Sequence, residues 1–353
     1  MRVFRGFHHP GIAPACALTI GNFDGVHRGH QAMLALLTNE ARHRGVASCV
    51  MTFEPHPRDY FAHLVAEAQA TGARPLRSPS PAPAGGGRGT PRPGAVMSAP
   101  ARIATLRDKL SELERCGIDQ AVVLRFDAHL AGLAPQAFVD QVLVDGVHAR
   151  YVLVGDDFRF GARRAGDYAM LDAAGDARGF DVARMMSYEV HGLRVSSSAV
   201  RSALADGDMA HTAALLGRPY CISGRVQHGR KLGRELGFRT LNLRFGHPRP
   251  AAMGIFVVRV HGLAAEPLPG VASLGKRPTV DDSGRVLLET HVLDWPAALG
   301  PEGGYGRLIR VELLAKLHDE RRYASIDELR AAIADDTARA RAWFAASPGR
   351  PLG

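Results

Sequence analysis

Two glycine-punctuated stretches of the chain collect the residue types that handle phosphate. The first reads Gly21-Asn22-Phe23-Asp24-Gly25-Val26-His27-Arg28-Gly29-His30 and follows an apolar run at 17–20 before a helical pattern begins. Glycine lets the backbone approach a ligand closely, a new helix directs unpaired N–H groups and its positive end at it, and two imidazoles add donors. Strand, glycine-rich turn, two histidines and helix in this order read as a nucleotide phosphate site. Taken alone, the His-x-x-His spacing also fits a metal pair or two surface histidines beside a turn, although no third metal ligand stands nearby.

Further along, Val195-Ser196-Ser197-Ser198-Ala199-Val200-Arg201 sets hydroxyls and helix-start N–H groups beside a guanidinium, so that Ser197, Ser198 and Arg201 can hold a phosphate. A plain serine N-cap is the competing explanation. Nothing supplies a base partner for a serine nucleophile. Val154-Gly155-Asp156-Asp157-Phe158-Arg159-Phe160-Gly161 ends a strand in an acidic and aromatic loop, where α/β sheets tend to bind ligands, and the alternative is an ordinary surface loop. The second glycine-rich stretch runs from Gly224 to Asn242 through Gly229, Gly233 and Gly237 and is rich in cations. It can wrap phosphates or form a flexible hairpin. In Leu288-Glu289-Thr290-His291-Val292, strand alternation places Glu289 and His291 on one face and Leu288 and Thr290 on the other.

The elements that must carry these residues change character along the chain. Apolar runs at 17–20, 49–53, 121–124 and 151–154 read as buried parallel strands. Met33, Leu36 and Leu37 mark one helical face between them, and Leu106, Leu110, Leu113 and Cys116 another. The first half is therefore an α/β domain. After Leu215-Leu216-Gly217-Arg218-Pro219 come β-rich runs at 254–260, 286–292 and 308–314, separated by Gly and Pro turns, as in a small antiparallel barrel. Ser325 ahead of Ile326-Asp327-Glu328 predicts an N-capped helix running to about Phe344. The boundary is expected at 217/218, giving domains 1–217 and 218–353. Residues 72–100, rich in Pro and Gly, predict a disordered insertion.

A chain of 353 residues with 46% apolar and 22% charged residues is long enough for two cores. Its net charge of +9 comes largely from arginines scattered among Ala, Gly and Pro, which reads as compositional bias rather than a nucleic-acid surface. The four cysteines form no CxxC pair and are expected to be buried free thiols. No signal-like apolar block opens the chain and no apolar run approaches the roughly 20 residues that span a bilayer, so a soluble cytoplasmic protein is expected.

At the His27-Arg28-Gly29-His30 stretch the sequence resembles the nucleotidyltransferase superfamily, and specifically the flavin adenylyltransferase module of bifunctional riboflavin kinase/FAD synthetases. Phe53-Glu54-Pro55-His56-Pro57, the 154–161 loop and the 195–201 segment carry the same resemblance. It implies a doubly wound, Rossmann-like parallel-sheet domain in which an FMN phosphate oxygen attacks the α-phosphorus of ATP. His27 and His30 then stabilise the transferring phosphate, and Ser197, Ser198 and Arg201 clamp the triphosphate with Mg²⁺. Gly21, Asn22, Phe23, Asp24, Gly25 and Gly29 line the nucleotide, while Asp157 and Phe158 contact flavin or adenylate. The 224–242 stretch resembles riboflavin kinase, whose loop ends in Pro-Thr-Ala-Asn where this chain has Arg239-Thr240-Leu241-Asn242.

That second resemblance implies an antiparallel β-barrel with a C-terminal helix. In it Gly229, Gly233, Gly237 and Arg277 border the nucleotide, Thr240 and Asn242 contact Mg²⁺ and phosphate, and Glu289 is the base for the riboflavin hydroxyl. ATP, riboflavin, FMN and FAD are the implied small-molecule partners; nucleic acid, membrane and an obligate protein partner are not implied. A monofunctional FAD synthetase with an impaired kinase head, or a non-catalytic flavin-binding regulator, are the other readings. Scattered arginines without an aromatic RNP-like strand argue against RNA.

Overall fold

The computed structural model describes residues 1–71, 99–186, 188–190, 193–229, 237–276, 286–300 and 302–346. Nearly all of the 72–100 insertion, together with Gly233 and Arg277, lies outside the described residues. The chain forms two compact units. One comprises Met1–Phe23, Gly29–Pro100 and Glu112–Tyr188, and the other Asp24–Arg28, Ala101–Ser111 and Glu189–Gly353.

The first unit is built on six parallel strands, β1 (Arg2–Arg5), β2 (Cys16–Ile20), β3 (Ala47–Glu54), β4 (Gln120–Arg125), β5 (Ala149–Gly155) and β6 (Asp181–Met185), ordered β1-β4-β3-β2-β5-β6. All of β2 and all but the last residue of β4 are buried, as continuous apolar runs require when both faces of a parallel sheet are covered. The edge strands β1 and β6 are half-exposed and short, which is why no apolar run announces them. Because β2 sits between β3 and β5, the chain winds outward from it in both directions. The carboxyl ends of β2 and β5 thus open side by side at a topological switch point.

Helix α1 (Arg28–Arg44) buries Leu34, Leu37, Thr38 and Ala41, whereas Leu36 is 52% exposed. The face expected at Met33, Leu36 and Leu37 is thus rotated by about one residue, since the 34/37/38/41 spacing lets small Thr38 and Ala41 sit close to the sheet. Helices α2 (Pro57–Ala70) and α3 (Leu106–Arg115) follow; α3 buries Leu113 together with Asp108, Lys109 and Glu112, while Leu106 and Leu110 are half-buried. Short α4 (Ala128–Gly132) and α5 (Pro135–Ala137) lead into a π-helical stretch, Phe138–Val144, and α6 (Tyr168–Arg178) precedes β6. Cys16, Cys49 and Cys221 are buried free thiols, but Cys116, at the end of α3, is only half-buried.

In the second unit β7 (Glu189–Val190) and β8 (Leu193–Arg194) pair antiparallel, and α7 (Ser197–Asp206) and α8 (Met209–Leu216) precede the barrel. Its strands are β9 (Tyr220–Arg225), β10 (Thr240–Arg244), β11 (Gly254–His261), β12 (Leu268–Lys276), β13 (Val286–Val292) and β14 (Leu308–His318). They run antiparallel in the order β10-β13-β12-β11-β14-β9. Register shifts in the β11–β14 pair add curvature, and the Gln227 N–H donates to the Asn242 carbonyl at 2.9 Å, joining the two ends of the sheet. The closing helix α9 (Ile326–Ala346) starts where Ser325 Oγ accepts from the Glu328 N–H, and lays Ala340, Trp343 and Phe344 against Val257 and Val271.

Candidate functional site

From β2 the chain enters a turn that coils through the left-handed region, with φ of 48° at Phe23, 88° at Gly25 and 41° at Val26. An added Cβ at Gly25 would lie 2.7 Å from Ile103 Cγ2, so both its φ and its space require glycine. Val26 is β-branched, and such a residue at positive φ is strained by about 1–3 kcal/mol. Bonds around the turn offset that cost. The Asp24 carboxylate, 2% exposed, accepts from the N–H groups of Ile103 (3.2 Å) and Ala104 (3.1 Å) and from Arg201 Nη2 (2.7 Å). Arg201 Nε also donates to the Ala101 carbonyl at 2.7 Å.

His27 is buried beside this ion pair. Burial, then the positive charges of Arg201 and Arg218, outweigh the Asp24 carboxylate and push its pKa down to about 4. The imidazole is neutral at neutral pH. His30 and Gly29 lie in the first turn of α1, which carries no acidic residue, and the His30 ring tilts against Phe23 with centroids 5.0 Å apart. Asn22 Oδ1 is buried without a hydrogen-bond partner among the described residues. At the start of α7 the N-cap reading holds for one of the three serines. Ser196 is the N-cap, accepting from the Ala199 N–H at 3.2 Å; Ser197 Oγ donates to the Asp24 carbonyl at 3.3 Å; Ser198 is exposed.

In the loop after β5, Asp157 is exposed and Phe158 stacks on Phe160 with centroids 5.6 Å apart. An aromatic cluster that periodicity does not reveal lies in the same unit: Phe126 meets Phe53, Tyr60 and Phe61 edge-on at 5.5–5.9 Å. Its members stand on β3, α2 and the loop after β4, too far apart in sequence to form a pattern.

On the barrel, Asn242 of β10 is directly opposite Glu289 of β13, and Thr240 opposite His291. Glu289 is in turn opposite Ser273 of β12. Directly opposed side chains share a face about 5 Å apart, so Thr240, Asn242, Glu289 and His291 form one polar patch, in agreement with the buried–intermediate alternation of β13. Asn242 is 6% exposed and its Oδ1 has no hydrogen-bond partner among the described residues. Gly229 comes so close that a Cβ there would collide with Asn242 Nδ2, while Gly237 turns with φ 87°. His291 Nδ1 donates to the Arg239 carbonyl at 2.8 Å, and burial lowers its pKa.

Arg239, standing where the riboflavin kinase pattern has proline, is itself held. Its guanidinium lies 4.6 Å from the Trp295 ring centroid and donates to the Gly300 carbonyl, which also accepts from Trp295 Nε1. Leu241 is buried, and a Cβ at Gly304 would lie 2.8 Å from its Cδ2. The strand is thereby fixed by packing in place of a proline ring.

A family model described as riboflavin kinase matches residues 216–344, and one described as FAD synthetase matches 10–76 and 90–199. The chain is 42% identical over 346 residues to the bifunctional riboflavin kinase/FMN adenylyltransferase of Escherichia coli (strain K12), covering 98% of each chain. It is 40% identical over 353 residues to the protein of that name in Pseudomonas fluorescens, covering 99% of this chain and 100% of the relative. Among solved structures, one described as a macrolide-efflux protein from Streptococcus pneumoniae has the same fold, with a TM-score of 0.68 at 24% identity over 97% of this chain and 100% of that one.

Proposed function

The chain belongs to the bifunctional riboflavin kinase/FMN adenylyltransferase family, and from that premise we propose how its residues divide the two reactions. The protein phosphorylates riboflavin to FMN and transfers adenylyl from ATP to FMN, releasing pyrophosphate and forming FAD. Since both family models match and the full-length relatives are bifunctional, a single working head and a mere flavin binder are not favoured. The adenylylating module is assigned to 1–217 and the kinase to 218–353, a division supported by the six-stranded antiparallel sheet, whose strands all follow Leu216.

For adenylyl transfer, the carrying observation is a buried, neutral His27 on a turn clasped by Asp24. A neutral imidazole keeps one N–H to donate to the α-phosphate as charge develops on it, and needs no counter-charge of its own. His30, with the N–H groups of Gly29 and the α1 start, extends the donor set. An FMN phosphate oxygen forms the new bond to the α-phosphorus, the bond to the β-phosphate bridging oxygen breaks, and pyrophosphate leaves. Ser197 and Ser198 at the α7 start and the Arg201 charge are assigned to the triphosphate. Gly21, Asn22, Phe23 and Gly25 are assigned to the nucleotide, and Asp157 and Phe158 to flavin or adenylate. Asp24 is assigned to the nucleotide site through the residues it holds.

For the kinase, Glu289 takes the proton of the riboflavin 5′-hydroxyl while that oxygen attacks the γ-phosphorus and ADP leaves. Thr240 and Asn242 suit Mg²⁺, because the buried Asn242 Oδ1, without a partner among the described residues, is the hard oxygen such an ion takes. Bound there, the ion would neutralise phosphate charge. Gly229, Gly233, Gly237 and Arg277 are assigned to the same nucleotide. The partners are small molecules, and scattered arginines that read as compositional bias give no support for nucleic acid. Among the described residues no helix is long and apolar enough to cross a membrane, and a cytoplasmic site of action fits the ATP that both reactions consume.

Flavins separated after incubation with ATP and Mg²⁺ test the assignment. His27→Ala is expected to lower FAD formation from supplied FMN by about 100-fold or more while FMN formation continues. Glu289→Ala is expected to give the reverse. Equal loss of both activities in either variant would refute the division of residues.

A further inference from the structure

We propose that Arg218 is a positioning residue for adenylyl transfer: its guanidinium staples the strained turn that presents His27. This inference rests on the role given to His27 above. Arg218 lies between α8, which ends through left-handed Gly217, and β9. Its Nη1 donates to the carbonyls of Val26 (3.1 Å) and Leu216 (3.0 Å), and its Nη2 donates to the Gly25 carbonyl (2.8 Å). One planar fork therefore fixes the two consecutive carbonyls that immediately precede His27. It also ties them to the end of α8.

Of those two residues, Gly25 takes a φ of 88° that glycine adopts readily, and Val26 is held at φ 41°, where a β-branched side chain is strained. A β-branched residue persists in that region only where its surroundings over-determine it. The opposite side of the turn is fixed by the same stretch of chain, because Tyr220 Oη donates to the Ile103 carbonyl at 2.9 Å and Ile103 packs against Gly25. Only arginine supplies two parallel donors in one rigid plane, so lysine can retain the charge but not the fork. Arg218 is also one of the charges that face His27, with Arg201 and Asp24, and it opposes protonation of the ring.

The test compares Arg218→Gln, Arg218→Lys and His27→Ala in the full-length protein, with FAD formation from FMN and FMN formation from riboflavin measured on each preparation. Arg218→Gln is expected to lower kcat for adenylyl transfer by about 30- to 100-fold with little change in KM, because a misaligned donor costs the chemical step rather than binding. Arg218→Lys is expected to lose less, and kinase turnover to stay within about twofold of wild type. In the NMR spectrum the His27 ring of Arg218→Gln is expected to titrate at higher pH than in the wild type. Wild-type adenylyl transfer in Arg218→Gln beside an inactive His27→Ala would overturn the proposal and leave the site standing. An active His27→Ala would overturn the site assignment and the proposal with it. Joint loss of kinase turnover in Arg218→Gln, or an unmoved His27 titration, would make Arg218 a general support of the fold and overturn its positioning role.

Discussion

Burying a neutral imidazole couples the chemistry of His27 to the stability of the fold. Its pKa is about 4 folded against 6.5 in the unfolded chain, so between those values the unfolded state binds more protons. The stability that depends on a neutral ring is complete above about pH 6.5 and is lost as pH falls toward 4, on the order of 3 kcal/mol for this residue. His291, lowered by burial as well, acts in the same direction below its ordinary value. Denaturant midpoints measured across that window are expected to fall less steeply in His27→Gln than in the wild type; parallel slopes would show the ring already accessible to protons. A sequence can present two histidines beside a glycine-rich turn, but the direction of this shift is set first by burial and then by the charges of Arg201, Asp24 and Arg218. Those side chains converge from positions as distant as 24 and 218.

Among the elements, β10 shows how a departure from a family pattern is absorbed. Arg239 loses the fixed φ of a proline but gains the Trp295 face, and its carbonyl accepts from His291. A cation–π contact of this kind is worth about 0.5–2 kcal/mol. Arg239→Ala is therefore expected to raise the kinase KM for ATP by about three- to tenfold and to leave FAD formation from FMN unchanged. Trp295→Ala should act similarly, with the double variant showing less than the product of the two effects. Additive effects would mean that the stack does not steady β10. The two-residue alternation of β13 was readable because a barrel strand buries one face. The face of α1 was misplaced by about one residue, because Thr38 and Ala41 contribute to it by being small rather than by being strongly apolar.

At the scale of the molecule, FMN is the product of one reaction and the substrate of the other. Mixing His27→Ala with Glu289→Ala is expected to restore conversion of riboflavin to FAD, since each variant supplies the step the other lacks. Failure of the mixture, with both variants folded, would show that FMN does not pass between molecules through solution. Within the second unit, the barrel also depends on the segment Ala101–Ser111, which is far from it in sequence. Asp108 accepts from the N–H and hydroxyl of Ser223, and from Thr105 Oγ1, while Tyr220, wholly buried, bonds to the Ile103 carbonyl. Asp108→Ala leaves the Ser223 donors without their acceptor and is expected to destabilise the protein by about 1–3 kcal/mol, visible as a lower denaturant midpoint.

The sequence by itself determined the change from α/β to antiparallel architecture and the closing helix, and it marked the residues proposed here for phosphate chemistry. Periodicity, caps and glycine-rich turns act over a few neighbours and are written locally. The clasp of Asp24 by Arg201, the fork of Arg218 on the His27 turn, and the opposition of Asn242 to Glu289 were decided by tertiary structure alone. Each joins residues that the chain keeps far apart, and only strand register and helix packing fix whether such side chains meet.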